Sequence, residues 1–149
     1  IAYACDTWEN PNIKPLRDDI IWNGEIGSMD KFISNVEKYS TDDTEIKILS
    51  GDARSIGSKN IDHKINFVFY DGNHEEIVQT ECLSNILNYT DDEFILVVDD
   101  ANFDGVVSSV DQFINTNKLT TIYKKLILTT QTEDVMSWWN GIYILVLKK

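Results

Sequence analysis

The sequence is poor in the residues and segments that mark several common classes of protein. Cysteine and proline each occur only twice in 149 residues, and no apolar run approaches the ~20 residues that a membrane span needs. Two cysteines do not make the disulfide framework of a small secreted domain, so we expect Cys5 and Cys82 to be free, buried thiols. These scarcities argue against a membrane protein and favour a reducing, cytoplasmic compartment.

Basic residues are also scarce, and this bears on the partners of the chain. There are 13 lysine and arginine residues against 25 acidic ones, which gives a net charge of −12. Such a chain repels a phosphate backbone unless basic residues cluster locally. The short basic pairs are only Lys124-Lys125 and Lys148-Lys149, so we expect no nucleic-acid partner. An apolar fraction of 42% is enough for a folded core.

Short apolar runs alternate with helical patterns along the chain. Several runs are continuous, as in strands covered on both faces; they occupy residues 1–5, 46–49, 65–70, 94–98, 122–128 and 142–147. Apolar stripes at helical spacing lie between them, within residues 29–36, 77–87 and 106–114. The alternation predicts an α/β fold with a mostly parallel sheet and flanking helices, in which the last two strands form an antiparallel pair at one edge.

Four successive predicted strands are followed by an aspartate. These residues are Asp6, Asp52, Asp71 and the pair Asp99-Asp100. Because ligands bind beyond the carboxyl ends of strands in open parallel sheets, we expect the acids to line a site. Carboxylates crowded on one rim repel one another, and they persist if they bind hydroxyl groups, a cation or a positively charged ligand.

Each acid also has a structural alternative, because aspartate is a common cap and turn former. Asp6 could cap the loop that follows it, and Gly51-Asp52 could be a simple turn. Asp71 could belong to a tight turn, with Asn73 as the N-cap of the next helix. The pair Asp99-Asp100 is hardest to explain in this way because a cap needs only one acid, so a function is favoured there.

Histidine and tryptophan residues near these acids are further candidates. His74 could be a general base, since imidazole titrates near neutral pH, or a first-turn helix residue without chemistry. Trp8 and the pair Trp138-Trp139 could be core residues or pocket walls. The long predicted loop over residues 9–27 and the Trp138-Trp139 segment are expected to shape the pocket of the substrate.

Together these motifs resemble those of class I S-adenosylmethionine-dependent methyltransferases, in particular the small-molecule branch with sugar and antibiotic O-methyltransferases. The matching segments stand in the family's order and span nearly the whole chain, although each is short. They are Tyr3-Ala4-Cys5-Asp6-Thr7-Trp8, the helix around Phe32 and Asn35, Gly51-Asp52-Ala53, the stretch over residues 67–74, Val97-Val98-Asp99-Asp100, Gly105-Val106 and the stretch over residues 139–143.

The resemblance implies roles for the residues around the cofactor, S-adenosylmethionine. Asp6 would accept hydrogen bonds from its ribose hydroxyl groups, and Trp8 would lie near the adenine. Asp52 would accept from the adenine amino group, with Gly51 and the backbone of Ala53 beside the ring. Asp71 would also border the cofactor.

The resemblance further implies a divalent cation, usually magnesium, in the metal-dependent branch of the family. Asp71, Asp99 and Asp100 match the acids that hold it, and oxygen ligands suit such a hard cation. The metal would bind two hydroxyl groups of the substrate and lower the pKa of one of them. Asn73 stands where some relatives have a second acid that acts as base, so His74 is the substitute candidate, with Asp71 beside it as a catalytic residue.

The chain departs from the family at its start. The family's first strand and its glycine-rich turn, which hold the methionine end of the cofactor, would precede Ile1, and residues 23–27 do not replace them because they follow no apolar strand. We therefore expect residues 1–149 to be a single, N-terminally incomplete domain. Its sheet would be divided into two half-sheets with unpaired edges.

Three functions stay open from the sequence. The first is methyl transfer to a hydroxyl group of a small molecule, such as a sugar, with the help of a divalent metal. The second is a non-catalytic or degenerate binding module with the methyltransferase fold. The third is another nucleotide-dependent α/β enzyme such as a dehydrogenase, although the sequence has no nicotinamide-type glycine motif.

Overall fold

The computed structural model describes residues 1–8, 29–41, 43–57, 59–129 and 140–149. Two compact units divide the chain, Ile1–Ser55 and Ile56–Lys149. In chain order the elements are β1 (Ala2–Asp6), α1 (Met29–Tyr39), β2 (Ile46–Ser50), β3 (Ile65–Tyr70), α2 (Glu76–Leu87), β4 (Thr90–Asp99), α3 (Asp104–Thr116), β5 (Thr120–Ile127) and β6 (Ile142–Lys148). This is the order that the sequence pattern predicts.

The first unit contains a parallel pair of strands, β1 and β2, and the amphipathic helix α1. The strands run in register from Ala2 opposite Ile46 to Asp6 opposite Ser50. Cys5 forms no disulfide bond among the described residues, as expected, but it is exposed, so the expectation that it is buried is wrong. A two-stranded sheet is too narrow to cover its own strands, which explains this exposure. Cys82 is buried and also forms no disulfide bond there, as expected.

The second unit contains a four-stranded sheet in the order β3-β4-β6-β5. β3 and β4 are parallel, whereas β6 is antiparallel to both β4 and β5. The predicted antiparallel pair at one edge is thus confirmed. The described strands fall into two sheets, which agrees with the expected division; that the whole chain is one domain remains a prediction.

The core of the second unit lies on one face of this sheet. Alternate residues of β3, β4 and β6 are buried there, namely Val68, Tyr70, Phe94, Leu96, Val98, Tyr143, Leu145 and Leu147. On the other side of β3, Phe67 and Phe69 are 52% and 47% exposed. The apolar runs form strands because β-branched and aromatic side chains fit a pleated surface that is half or fully buried.

Helices α2 and α3 pack against each other through a polar seam inside the core. Gln79 and Ser109 are both fully buried. The Gln79 side-chain amide donates to the Val106 carbonyl at 3.0 Å, and the Ser109 hydroxyl donates to the same carbonyl at 2.9 Å. Gln79 Oε1 has no hydrogen-bond partner among the described residues. Of the helices in these residues, none is long and apolar enough to cross a membrane.

Candidate functional site

The ends of β3 and β4 bring two of the predicted acids together. The strands are parallel neighbours, with Tyr70 opposite Val98. The C-terminal ends of both strands therefore lie side by side, where Asp71 follows β3 and Asp100 follows β4. This arrangement is the one that parallel pairing of the two apolar runs requires.

Asp71, His74 and Asp100 form a compact group at this edge. One potential ligand atom from each side chain lies within 4.8 Å of the other two. The closest pair is His74 Nε2 and Asp100 Oδ2, which are 2.6 Å apart. The two side chains are 30% and 20% exposed, so the pair is partly shielded from water. A group of two carboxylates and an imidazole can hold a divalent cation or move a proton.

The turn after β4 gives its two consecutive acids different tasks. Asp100 has φ of 59°, in the left-handed region that residues with a Cβ seldom adopt. Its amide donates to Asp99 Oδ1 at 2.8 Å, and its carbonyl accepts from the Phe103 amide at 3.0 Å. The Asp99 carboxylate thus stabilises the backbone of the turn by a hydrogen bond, while the Asp100 carboxylate contacts His74.

Asn102 connects this turn to the chain segments on either side of residues 130–139. Its side chain donates to the Thr129 carbonyl at 2.8 Å and accepts from the Thr129 amide at 3.1 Å. Its backbone amide donates to the Asn140 carbonyl at 2.7 Å. These bonds fix the start of the connection between β4 and α3, and with it the position of the site's acids.

The connection between β3 and α2 holds His74 in place before the helix begins. The Tyr70 hydroxyl donates to the Asn73 carbonyl at 2.9 Å, and Asn73 Oδ1 accepts from the Glu75 amide at 2.7 Å. The N-cap of α2 is Glu75 and not Asn73. The alternatives in which Asn73 is the N-cap and His74 lies in the first helical turn are therefore wrong, because the asparagine closes a turn that precedes the helix.

The surroundings of Asp71 disfavour its negative charge beside those of Asp99 and Asp100. The pKa of Asp71 is raised above its ordinary value, mainly by burial, then by the charges of Asp99 and Asp100, and His74 offsets part of the effect. Part of the Asp71 side chain is open to solvent, which screens this repulsion. A bound cation would relieve the remainder.

The first unit contains all the residues that the resemblance assigns to the cofactor except Asp71. Asp6 is the last residue of β1 and Gly51 follows the neighbouring strand β2, and the Gly51 amide donates to the Asp6 carbonyl at 2.9 Å. Asp6 Oδ1 accepts from the amide of Trp8 at 2.8 Å. The Trp8 ring lies 5.0 Å from that of Phe32, and its Nε1 is buried without a hydrogen-bond partner among the described residues.

Asp52 has a partner that the sequence reasoning missed. Arg54 Nε lies 3.0 Å and 2.9 Å from the two oxygens of the Asp52 carboxylate, and the Arg54 amide also donates to it at 2.8 Å. These bonds hold the pKa of Asp52 at about 2. Ala53 lies between the two in a turn that the Ser55 amide closes onto the Asp52 carbonyl at 2.8 Å.

The remaining predicted residues are placed as follows. The candidates for the cofactor lie in the first unit except Asp71, which lies in the second unit with the candidates for the metal. The long loop over residues 9–27 and the pair Trp138-Trp139 lie outside the described residues. The pairing of His74 with Asp100 was also missed, although the spacing Asp71-x-x-His74 after a strand is a signal that could have suggested it.

Solved structures of similar fold are S-adenosylmethionine-dependent methyltransferases, and they confirm the Rossmann-like α/β fold. One is the magnesium protoporphyrin IX methyltransferase of Synechocystis with bound S-adenosylmethionine, with a TM-score of 0.53 and 11% identity over 80% of this chain and 53% of that one. A candidate O-methyltransferase from Klebsiella pneumoniae has a TM-score of 0.52 and 16% identity over 80% and 57%. A candidate methyltransferase from Streptococcus mutans has 0.52 and 10% over 82% and 36%.

The chain therefore spans between about a third and three fifths of the length of these structures. No protein-family model matches the sequence, and no match was found among curated proteins. The likeness establishes the fold, whereas activity, cofactor and substrate are matters of proposal.

Proposed function

We propose that this protein transfers a methyl group from S-adenosylmethionine to a hydroxyl group of a small molecule, such as a sugar, with a divalent cation held at the ends of β3 and β4. The observation that supports it best is the group Asp71, His74 and Asp100, which lies at the carboxyl edge of a parallel strand pair. That edge is where open α/β sheets bind their ligands.

The residues at this edge fit a divalent cation. Asp71 and Asp100 offer carboxylate oxygens within 4.8 Å of each other. The pKa of Asp71 is raised first by burial and then by the charges of Asp99 and Asp100, both of which a bound cation would offset. When bound, such a cation lowers the pKa of a coordinated hydroxyl group and orients it. The protein's part is to fix the two acids, and Asp99 does so for Asp100 by accepting its backbone amide.

The fit to S-adenosylmethionine is supported by the first unit in part. Asp6 ends β1 and uses Oδ1 for the Trp8 amide, so a ribose hydroxyl group could donate to Oδ2. The buried Nε1 of Trp8 has no partner in the described part of the chain and is a donor that a ligand could satisfy. The guanidinium of Arg54 already donates to the Asp52 carboxylate. An adenine amino group would have to share this carboxylate with Arg54 or displace the guanidinium from it.

The test is calorimetry with S-adenosylmethionine on the full-length protein, followed by transfer of a labelled methyl group to a panel of sugars and other polyols. We expect binding in the wild type and a weaker complex in Asp6→Asn. Asp43→Asn is the matched control, because it removes the same charge at an exposed turn residue.

Asp71→Asn and Asp100→Asn are expected to keep the binding of S-adenosylmethionine but lose most of the transfer. Full transfer activity in both variants would remove the metal role of these acids. Failure of the wild type to bind S-adenosylmethionine would instead support a non-catalytic module with this fold.

A further inference from the structure

We infer that His74 is the third protein ligand of the cation site, beside Asp71 and Asp100, and that the site therefore selects a divalent transition-metal ion over Mg²⁺. The inference rests on the function proposed above, because it concerns the cation of that site. It differs from the all-oxygen set Asp71, Asp99 and Asp100 in one ligand and in the metal.

The placement of its two ring nitrogens argues against His74 as a general base. Nδ1 is buried and has no hydrogen-bond partner among the described residues. Nε2 is 2.6 Å from Asp100 Oδ2 and points into the group of acids. A general base needs a nitrogen within hydrogen-bond reach of the substrate proton. Here Nδ1 is buried, and Nε2 is engaged with Asp100 Oδ2 at the place where a cation would lie.

The distances in the group are close to those of a coordination sphere. Two atoms bound to one ion at about 2.1 Å cannot be more than about 4.2 Å apart. The ligand atoms of Asp71, His74 and Asp100 already lie within 4.8 Å of one another. Ligand atoms further apart than about 4.2 Å must approach by a few tenths of an ångström, whereas Nε2 and Asp100 Oδ2, now 2.6 Å apart, must separate to about 3 Å, the spacing of neighbouring ligands at about 2.1 Å from one ion. The proton that Nε2 and Oδ2 share would leave when the ion binds.

Asp99 has another task in this arrangement. Its Oδ1 accepts the amide of Asp100 and so stabilises the left-handed turn that directs the Asp100 carboxylate to His74. An asparagine at position 99 can accept the same hydrogen bond through its own Oδ1. We therefore expect Asp99→Asn to keep the site intact, whereas a direct ligand role for Asp99 requires that this substitution weaken it.

An imidazole ligand changes which ion is preferred. Mg²⁺ favours oxygen ligands and keeps its water, while nitrogen ligands favour ions later in the Mn²⁺ to Cu²⁺ series. Nδ1 has no hydrogen-bond partner among the described residues, and this predicts modest affinity. A histidine ligand usually donates its second N–H to a neighbour, and loss of such a partner costs about 10- to 100-fold in affinity.

The experiment is a metal titration of the full-length, metal-free protein, without cofactor or acceptor. Co²⁺ binding is followed by its visible absorption, and Mg²⁺ affinity by competition against Co²⁺. The variants are His74→Ala, Asp99→Asn and His63→Ala. His63 is the matched control, since it is the chain's other histidine and its exposed ring pairs with Asp62 at 2.9 Å.

We expect the ratio of Co²⁺ to Mg²⁺ affinity to fall by at least about tenfold in His74→Ala, and to stay within about twofold of wild type in the other two variants. An unchanged ratio in His74→Ala, or a loss in Asp99→Asn, would overturn the ligand assignment. Absence of binding of either ion to the wild type would overturn it as well.

Nuclear magnetic resonance of the wild type gives a readout that needs no variant. Bound Co²⁺ should shift or broaden the ring signals of His74 and leave those of His63 sharp; unaffected His74 signals would contradict the inference. Binding of S-adenosylmethionine is measured in a separate titration, so a failed metal assignment can be told from a failed methyltransferase proposal.

Discussion

Removal of the Asp71 charge is expected to stabilise the metal-free protein. Asp71 and Asp100 place carboxylate oxygens within 4.8 Å of each other. At this separation the repulsion is about 0.9 kcal/mol in bulk water and about 3.5 kcal/mol at the effective dielectric constant of a protein surface. Because Asp71 is partly open to solvent, the lower figure applies, and we expect Asp71→Asn to gain about 1 kcal/mol. For a chain of this size that raises the melting temperature by about 2–4 °C.

The assay is thermal unfolding at pH 7 in the presence of a chelator, with Asp43→Asn as control. Both variants lose one negative charge, so a difference between them isolates the local repulsion. In excess Co²⁺ the order should reverse, because the wild type gains the free energy of metal binding and Asp71→Asn gains little. An Asp71→Asn variant that is no more stable than Asp43→Asn in chelator would refute the reasoning, since it would mean that the carboxylates do not repel.

Three further predictions concern residues outside the site. Gly141→Ala should lower the free energy of unfolding by more than about 1 kcal/mol, because Gly141 has φ of 77° and a Cβ there would lie 2.5 Å from Asn102 Oδ1 and 2.8 Å from the Ile127 carbonyl oxygen. Gly57→Ala is the control: a Cβ there would have nothing within 4 Å, so the free energy of unfolding should change by less than about 0.5 kcal/mol. Equal costs by urea denaturation would contradict this. Gln79→Met should be neutral or stabilising by up to about 1 kcal/mol. The lost hydrogen bond is worth about 1 kcal/mol, but burial of Oε1 without a partner among the described residues costs at least as much, and Ser109 still donates to the Val106 carbonyl. A loss of more than about 2 kcal/mol in the same assay would mean that Oε1 is hydrogen-bonded. The pKa of Tyr143 is raised above 10.0 by burial and by Asp111. The stabilising effect of the neutral phenol is therefore complete below about pH 10 and is lost as the pH rises through the raised pKa. The melting temperature of Tyr143→Phe should fall less than that of the wild type above about pH 10, and identical alkaline profiles would contradict this prediction.

The fold could be predicted largely from the sequence because its strands are continuous apolar runs. Residues 65–70 and 94–98 are almost continuously apolar, and this predicted strands of a parallel sheet. The expectation that such strands are covered on both faces is wrong for β3, because Phe67 and Phe69 are 52% and 47% exposed. Parallel pairing then fixes which strand ends meet, and Asp71 and Asp100 meet for this reason. The exposure of Cys5 could not be predicted in the same way, because burial depends on the number of strands beside it.

The details of the site depend on backbone angles and tertiary distances that no local pattern encodes. The tandem acids Asp99-Asp100 were recognised as unusual, but their division of tasks follows from the left-handed φ of Asp100. The contact of His74 with Asp100 joins residues 26 positions apart and arises only when the two strands pair. Arg54 lies two positions from Asp52, and a turn between them brings the charges together.

The left-handed backbone at Asp100 also has an evolutionary consequence. Glycine and asparagine adopt this conformation at least as easily as aspartate, and in the genetic code each is a single nucleotide change away from it. Drift at position 100 is therefore not opposed by the fold. If relatives have a mixture of the three residues, position 100 is selected only for its left-handed backbone conformation. If all of them have aspartate, the carboxylate itself is under selection.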